Sequence, residues 1–359
     1  MRNTVVDALT TLVSFQTVEG NTPEKVRALD WIQGTFLSQP NGEMQRGEIE
    51  GAPYLHLSCT HPDLLWFAHV DVVPATEKQF SLLVEGERAF GRGAKDMKGG
   101  IVPFLLAYRD ITAEGKKPNV SILLTSDEET AGGSIPQLLT EGVVNTPVAF
   151  TPDTGSSPGI VTEHKGALWV ELRARGTGGH AAMPWESDNA IWKLCTALNR
   201  IHDAFPPGTQ DDWQVTVVPT MLRGSNARNQ VPGDAACNLD IRYPPELCKE
   251  PEEALALVQA VLPAGCVLHE MVRASPLYTN ADHPMVNLVR TLAKEVEERE
   301  IEIIREHGGT DARFFSEQGI PAFLYGPMGG DLHGPNEWVS IPSLLQHYKI
   351  GRKLLEKFC

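Results

Sequence analysis

The chain has 359 residues, of which 42% are hydrophobic and 21% charged; this composition excludes a disordered or fibrous protein, and the length asks for about two hydrophobic cores. Its 31 basic and 46 acidic residues give a net charge of -15, which opposes nucleic acid and anionic membranes as partners. The six cysteines include no CxxC pair, which excludes a zinc ribbon or a redox motif and fits reduced, buried thiols.

In chain order, MRNTVVDALTTLVSF has the periodicity of an amphipathic helix rather than of a signal peptide, and no apolar run approaches the roughly 20 residues of a membrane span. A cytoplasmic location is the expectation. Short apolar runs follow: LLWFA (64–68) before His69, VSILLT (120–125) before Asp127-Glu128-Glu129, and PVAFT (147–151) before Asp153. Runs of this length bounded by turn residues predict buried strands of a mostly parallel sheet, with Gly99-Gly100 and IVPFLLAYRDI as a crossover helix. The middle of the chain predicts strands at 167–176, 213–222, 234–243 and 266–272, with helices from about 187 and over 250–262. This β-α-β-β-α-β order is that of a ferredoxin-like insert. Helical periodicity returns at 283–300 and 342–358, with a strand at AFLYGP (322–327). The expected fold is therefore α/β, with a discontinuous catalytic domain of residues 1–164 and 275–359 and an inserted α+β domain of residues 165–274.

The polar residues at the strand ends carry the chemistry, because ligands of open α/β sheets bind beyond the carboxyl ends of strands. Asp71 follows His69 by two positions, a spacing that lets a carboxylate fix an imidazole ring, though a lone HxD equally fits a structural histidine beside a turn. Asp96, in the glycine-rich GRGAKDMKGG, precedes a helix and could be only a helix-start carboxylate. Adjacent Glu128 and Glu129 repel unless a cation or a proton compensates them. In extended backbone they would point to opposite sides, one toward a metal and one elsewhere. Asp153 in TPDTGSS and His333 in LHGPNEWV complete the set. Oxygen and imidazole donors without thiolates suit a hydrolytic zinc, cobalt or manganese centre.

FAHVDVVP, GRGAKDMKGG, TSDEETAGG, GGHAAMP and LHGPNEWV together resemble the M20 metallopeptidase family, and the resemblance spans essentially the whole chain. It implies a zinc-hydrolase fold with a lid and dimerisation insert. It also implies two zinc ions, replaceable by cobalt or manganese, with His69 and Asp153 on one, Glu129 and His333 on the other, and Asp96 bridging both. Glu128 would be the general base, Asp71 would orient His69, and His180 would stabilise an oxyanion from the partner chain of a homodimer. Arg242, Asn229, Gly309 and Thr310 resemble substrate contacts, with Arg242 suited to grip a carboxylate.

The implied activity is cleavage of an amide bond in a small carboxylate substrate such as an N-acyl amino acid or a dipeptide. Asp153 stands where the desuccinylase and acetylornithine deacetylase patterns carry glutamate followed by proline. EHKGA resembles the deacetylases and GGTDARFF the desuccinylases. Succinyl-diaminopimelate desuccinylase is thus one alternative, and a catalytically silent binding protein on the same scaffold another, against which the intact Glu128 and ligand set argue.

Overall fold

In the computed structural model, residues 1–130, 132–156, 158–224 and 227–359 are described; Ala131 of TSDEETAGG and Ser157 of TPDTGSS lie outside them. The chain divides into two compact units, residues 1–162, 278–306 and 310–359 in the first and residues 163–277 and 307–309 in the second.

Helices α1 (Arg2–Ser14) and α2 (Thr22–Phe36) lead to a hairpin of β1 (Glu43–Ile49) and β2 (Ala52–Ser58). Strand β3 (Leu64–His69), the short strands β4 (Leu83–Glu85) and β5 (Arg88–Phe90), helix α3 (Lys98–Ala113), strand β6 (Val120–Thr125), helix α4 (Ser134–Thr140), and strands β7 (Ala149–Thr151) and β8 (Ile160–His164) follow. Next come β9 (Gly166–Arg175), β10 (Gly179–His180), α5 (Ala190–Ala204), β11 (Thr216–Arg223), β12 (Gln230–Val231), β13 (Asp234–Tyr243), α6 (Pro251–Val261) and β14 (Cys266–Ala274). The chain ends with β15 (Leu277–Tyr278), α7 (Pro284–Glu297), β16 (Ile303–Glu306), α8 (Ala312–Glu317), β17 (Ala322–Leu324), β18 (Gly329–Gly330), β19 (Trp338–Ser340) and α9 (Ile341–Glu356).

The main sheet runs β1-β2-β6-β3-β7-β17-β8-β15, with β16 against β8. Its centre, β6-β3-β7-β17, is parallel, and antiparallel pairings flank it at β2 with β6 and at β17 with β8. Every residue of β3, β6 and β7 is buried, as expected of central strands covered on both faces. Trp66 of β3 stacks on Phe104 of α3 with ring centroids 4.3 Å apart, inside a core that also takes residues of α1, α2, α7 and α9. A second, four-stranded sheet, β18-β19-β5-β4, joins two stretches far apart in sequence. In the other unit the sheet runs β11-β13-β9-β14, all antiparallel, and α5 and α6 contribute to its separate core. This is the strand order of a ferredoxin-like fold. All six cysteines are free, but Cys195 and Cys359 are exposed rather than buried. Cys195 lies off the face that α5 buries through Ala190, Leu194, Ala197 and Ile201, and Cys359 is the last residue.

One buried side chain makes stability depend on pH. His56 of β2 is 2% exposed, its Nδ1 has no hydrogen-bond partner among the described residues, and burial lowers its pKa from 6.5 to about 4. Below pH 6.5 the unfolded chain gains a proton that the folded chain refuses, so stability falls as pH drops from 6.5 toward 4, by about 3 kcal/mol at most. In His56→Leu the urea-unfolding free energy of chelated protein should lose about one proton from its slope against pH in that window. An unchanged slope would exclude the burial of neutral His56 as its source.

Candidate metal centre

Sheet register brings the strand ends together. His69 pairs with Thr125 across β3 and β6, and Trp66 with Phe150 across β3 and β7, so the segments carrying His69, Glu128-Glu129 and Asp153 leave the sheet side by side. The small sheet supplies the other two ligands. Asp96 follows β5, and His333 lies between β18 and β19 with a left-handed φ of 61°. Two glycines are required by close approach: a Cβ on Gly99 would lie 2.1 Å from the Ala94 carbonyl oxygen, and one on Gly100 2.6 Å from Cβ of Pro152. The start of α3 can therefore pack directly against the turns holding Asp96 and Asp153. The Asp96–Met97 peptide bond is cis.

Asp96 faces both histidines, one carboxylate oxygen to each. His69 Nε2 is 3.3 Å from Asp96 Oδ1, and His333 Nε2 is 3.2 Å from Asp96 Oδ2. Asp153 Oδ1 lies 4.0 Å from His69 Nε2, and Glu129 Oε2 3.2 Å from His333 Nε2. Two donor groups result, His69-Asp96-Asp153 and Asp96-Glu129-His333, each with its ligand atoms within 4.8 Å of one another. Asp71 works through two contacts. Its main-chain carbonyl is 3.1 Å from His69 Nδ1 while its carboxylate is 3.5 Å away, and Asp71 Oδ2 accepts the Glu129 N–H at 3.0 Å. A hydrogen bond from Nδ1 leaves Nε2 as the nitrogen that can offer its lone pair to a cation once the ring is deprotonated. Buried His69 Nε2 has no hydrogen-bond partner in the described residues, an orphaned donor-set atom of the kind a cation satisfies. The residues present fit divalent cations.

Glu128 and Glu129 do not lie in extended backbone: residues Glu128–Thr130 form a 3-10 turn. With three residues per turn, neighbours point about 120° apart, so the two carboxylates still diverge, but by helical geometry. Burial, reinforced by the charges of Asp153, Asp311 and Asp96, pushes the Glu128 carboxyl well above its usual range against the pull of His69. Burial and the Asp96 charge raise Asp153 to about 8. Hydrogen bonds to Asp96 and Glu129 raise His333 to about 10. For His69, burial acts downward, but Asp71 and Asp96 outweigh it and hold the ring well above its ordinary value. Burial likewise opposes ionisation of Asp96, yet the His333 and His69 rings beside it win and lower it.

These directions favour the protonated forms of His69, His333 and Asp153 near neutral pH when no cation is bound, whereas ligands bind cations deprotonated. Loading at pH 7 should therefore release at least one proton, measurable by titration calorimetry in buffers of different ionisation enthalpy. Cation binding with no proton release would exclude this ligand set.

The remaining residues singled out by the sequence make contacts of their own. His180, on β10, accepts the Ala182 N–H on Nδ1 at 3.1 Å, a local turn contact. The Asn229 carbonyl accepts from Ala181 N at 2.9 Å. Arg242, on β13, forks onto Asp240 at 2.7 and 3.1 Å, the sheet-surface ion pair that is the ordinary alternative to a substrate contact. These three and Gly309 belong to the second unit. Thr310 belongs to the first, is buried, and accepts the Ala312 N–H on its hydroxyl at 3.3 Å.

Sequence reasoning passed over two groups at this centre. Asp311, 3% exposed, has both carboxylate oxygens without a hydrogen-bond partner among the described residues, and burial raises it to about 7. Glu337, 1% exposed, accepts from Arg92 and from the N–H groups of Gly93, Lys95 and Asp96. The available signal was an acid four residues after His333, inside the quoted LHGPNEWV.

The chain is 27% identical to a succinyl-diaminopimelate desuccinylase of a Sulfurovum species over 373 aligned positions, covering 99% of each. It is 29% identical to one from Psychromonas ingrahamii, covering 83% of this chain and 84% of that relative. Two solved structures share the fold: aminopeptidase PepT from Bacillus cereus, with a TM-score of 0.83 at 17% identity over 100% of this chain and 99% of that one, and an M20 family metallo-carboxypeptidase from Sulfolobus solfataricus, with a TM-score of 0.75 at 17% identity over 99% of both. Residues 65–357 match peptidase family M20/M25/M40, and the chain therefore belongs to that family and is a hydrolase.

Proposed function

We propose that this hydrolase cleaves the amide bond of a small amino-acid-like substrate bearing a carboxylate, using two divalent cations held by His69 and Asp153, by Glu129 and His333, and by Asp96 between them. The observation that carries the reading is Asp96, which turns one oxygen to each histidine at 3.3 and 3.2 Å. Zinc is the proposed ion, with cobalt or manganese as substitutes, since the donors are oxygen and imidazole only. Bound there, the cations would supply Lewis-acid polarisation of the scissile carbonyl and acidify the attacking water.

The chain's own residues supply the rest. The Glu128 carboxylate takes the water proton and returns it to the leaving nitrogen, a task suited to a carboxyl whose burial raises its proton affinity. Asp71 holds His69 by its main-chain carbonyl and Glu129 by its carboxylate, so both keep their orientation between turnovers. Arg242 is proposed to meet the substrate carboxylate with guanidinium donors beyond those engaged by Asp240, with Asn229, Gly309 and Thr310 as further contacts and His180 as an oxyanion donor from a partner copy. Pairing of two second units through β11, which exposes Val218, Met221 and Leu222, would give that edge a defined partner. A monomer in sedimentation at micromolar concentration would exclude the trans role of His180.

Curated relatives at 26–29% identity favour one narrower reading, desuccinylation of an N-succinyl diamino acid. The test is a hydrolysis screen of metal-reconstituted protein against N-acetyl, N-succinyl and N-carbamoyl amino acids and dipeptides, with N-succinyl-diaminopimelate among them. Turnover confined to N-succinyl compounds would support the narrower reading. No turnover of any amide would reject the proposal.

A further inference from the structure

We propose that Glu337 and Arg92 form a buried clamp that positions both Asp96 and His333 for cation binding without either side chain touching a cation; the inference rests on the ligand assignment above. Both side chains are sealed from solvent, at 0% and 3% exposure. Each Glu337 oxygen takes two donors. Oε1 accepts the N–H groups of Lys95 at 2.9 Å and Asp96 at 3.0 Å, and Oε2 accepts Gly93 N–H at 3.0 Å and Arg92 Nη1 at 2.5 Å. An ionised carboxylate offers about four acceptor sites, so these four donors occupy Glu337 fully and leave it no place as a ligand. Three of the four are main-chain amides of the turn that ends at Asp96. The direction of the Asp96 side chain is thereby tied to Glu337.

Arg92 makes the second connection. While Nη1 holds Glu337, Nη2 donates to the carbonyl of His333 at 2.9 Å and to that of Gly334 at 3.3 Å. A guanidinium fork reaches both partners at fixed angles, which an ammonium does not. The two ligand turns are also rooted in one sheet. Ala89 of β5 pairs with Val339 of β19, and Gly91 N–H donates to the Glu337 carbonyl at 3.0 Å. His333 itself is half exposed and stands in a left-handed conformation, so the grip on its carbonyl helps to hold a backbone state that L residues seldom adopt. Burying an ion pair brings little net stability compared with apolar packing, which leaves orientation of the two turns as what this pair contributes.

The clamp predicts unequal effects of two substitutions. Arg92→Lys keeps a charge opposite Glu337 but loses the fork to the His333 turn, so one Co2+ equivalent should bind about 10- to 100-fold more weakly while the other stays within about 3-fold of wild type. Glu337→Gln disturbs the turn of Asp96, which serves both groups, so both equivalents should weaken by about 10- to 100-fold. The measurement is titration of chelated full-length protein with Co2+ alone, followed by its visible absorption, beside the thermal midpoint of each cation-free variant. If Glu337→Gln does not fold, Arg92→Lys carries the test by itself. Wild-type affinities for both equivalents in Arg92→Lys, or equal weakening of both, would overturn the clamp even if the thermal midpoint fell. Wild-type protein that binds fewer than two Co2+ equivalents would instead overturn the ligand assignment.

Discussion

Glu128→Gln is expected to lower turnover by about 10²-fold to 10⁴-fold while leaving cation binding intact, the usual cost of losing a general base. The amide fills the same space but has no basic oxygen to take the proton of the attacking water. Glu128 belongs to neither donor group of the centre, so its replacement should spare ligation. It also sits where burial and neighbouring acids favour its protonated form; cations bound nearby would offset those acidic charges and return it to the basic form at neutral pH. Metal analysis beside steady-state kinetics checks the assignment. Turnover within a few-fold of wild type in the fully loaded variant would exclude Glu128 as the base, and loss of cations would make it a ligand instead.

Asp96→Ala should remove both cations, whereas His69→Ala and His333→Ala should each leave about one, because a bridging carboxylate serves two ions and each histidine only one. The asymmetry follows from geometry: Asp96 turns Oδ1 to His69 and Oδ2 to His333. Turnover should fall below detection in Asp96→Ala. Without that carboxylate, the remaining donors on the two sides, His69 with Asp153 and Glu129 with His333, are pairs rather than triads. Elemental analysis after dialysis against buffered low zinc measures the stoichiometry. Two tightly retained ions in Asp96→Ala would refute the bridge.

The sequence by itself determined the elements that announce themselves locally. Runs such as LLWFA and VSILLT, bounded by turn residues, read as buried strands of a covered sheet, and β3 and β6 fall on them; DAACNLDIRY is β13 from end to end. Because ligands of such sheets gather at strand ends, His69, Glu128, Glu129 and Asp153 were legible as a set before any geometry was known. Tertiary structure decided what local pattern does not encode. The four-stranded sheet that carries Asp96 and His333 is built from two- and three-residue strands in stretches 83–90 and 329–340, too short for any periodicity. Whether Glu128 and Glu129 lay in a strand or a turn depended on where β6 stopped; Asp71 holds that turn through the Glu129 N–H, and the Asp127 carboxylate accepts the N–H groups of Gly133 and Ser134 just beyond it. The pairing of Arg92 with Glu337 spans 245 residues. A buried ion pair is selected by the space and the unpaired amides that the folded chain leaves around it, and those exist only once distant segments have met.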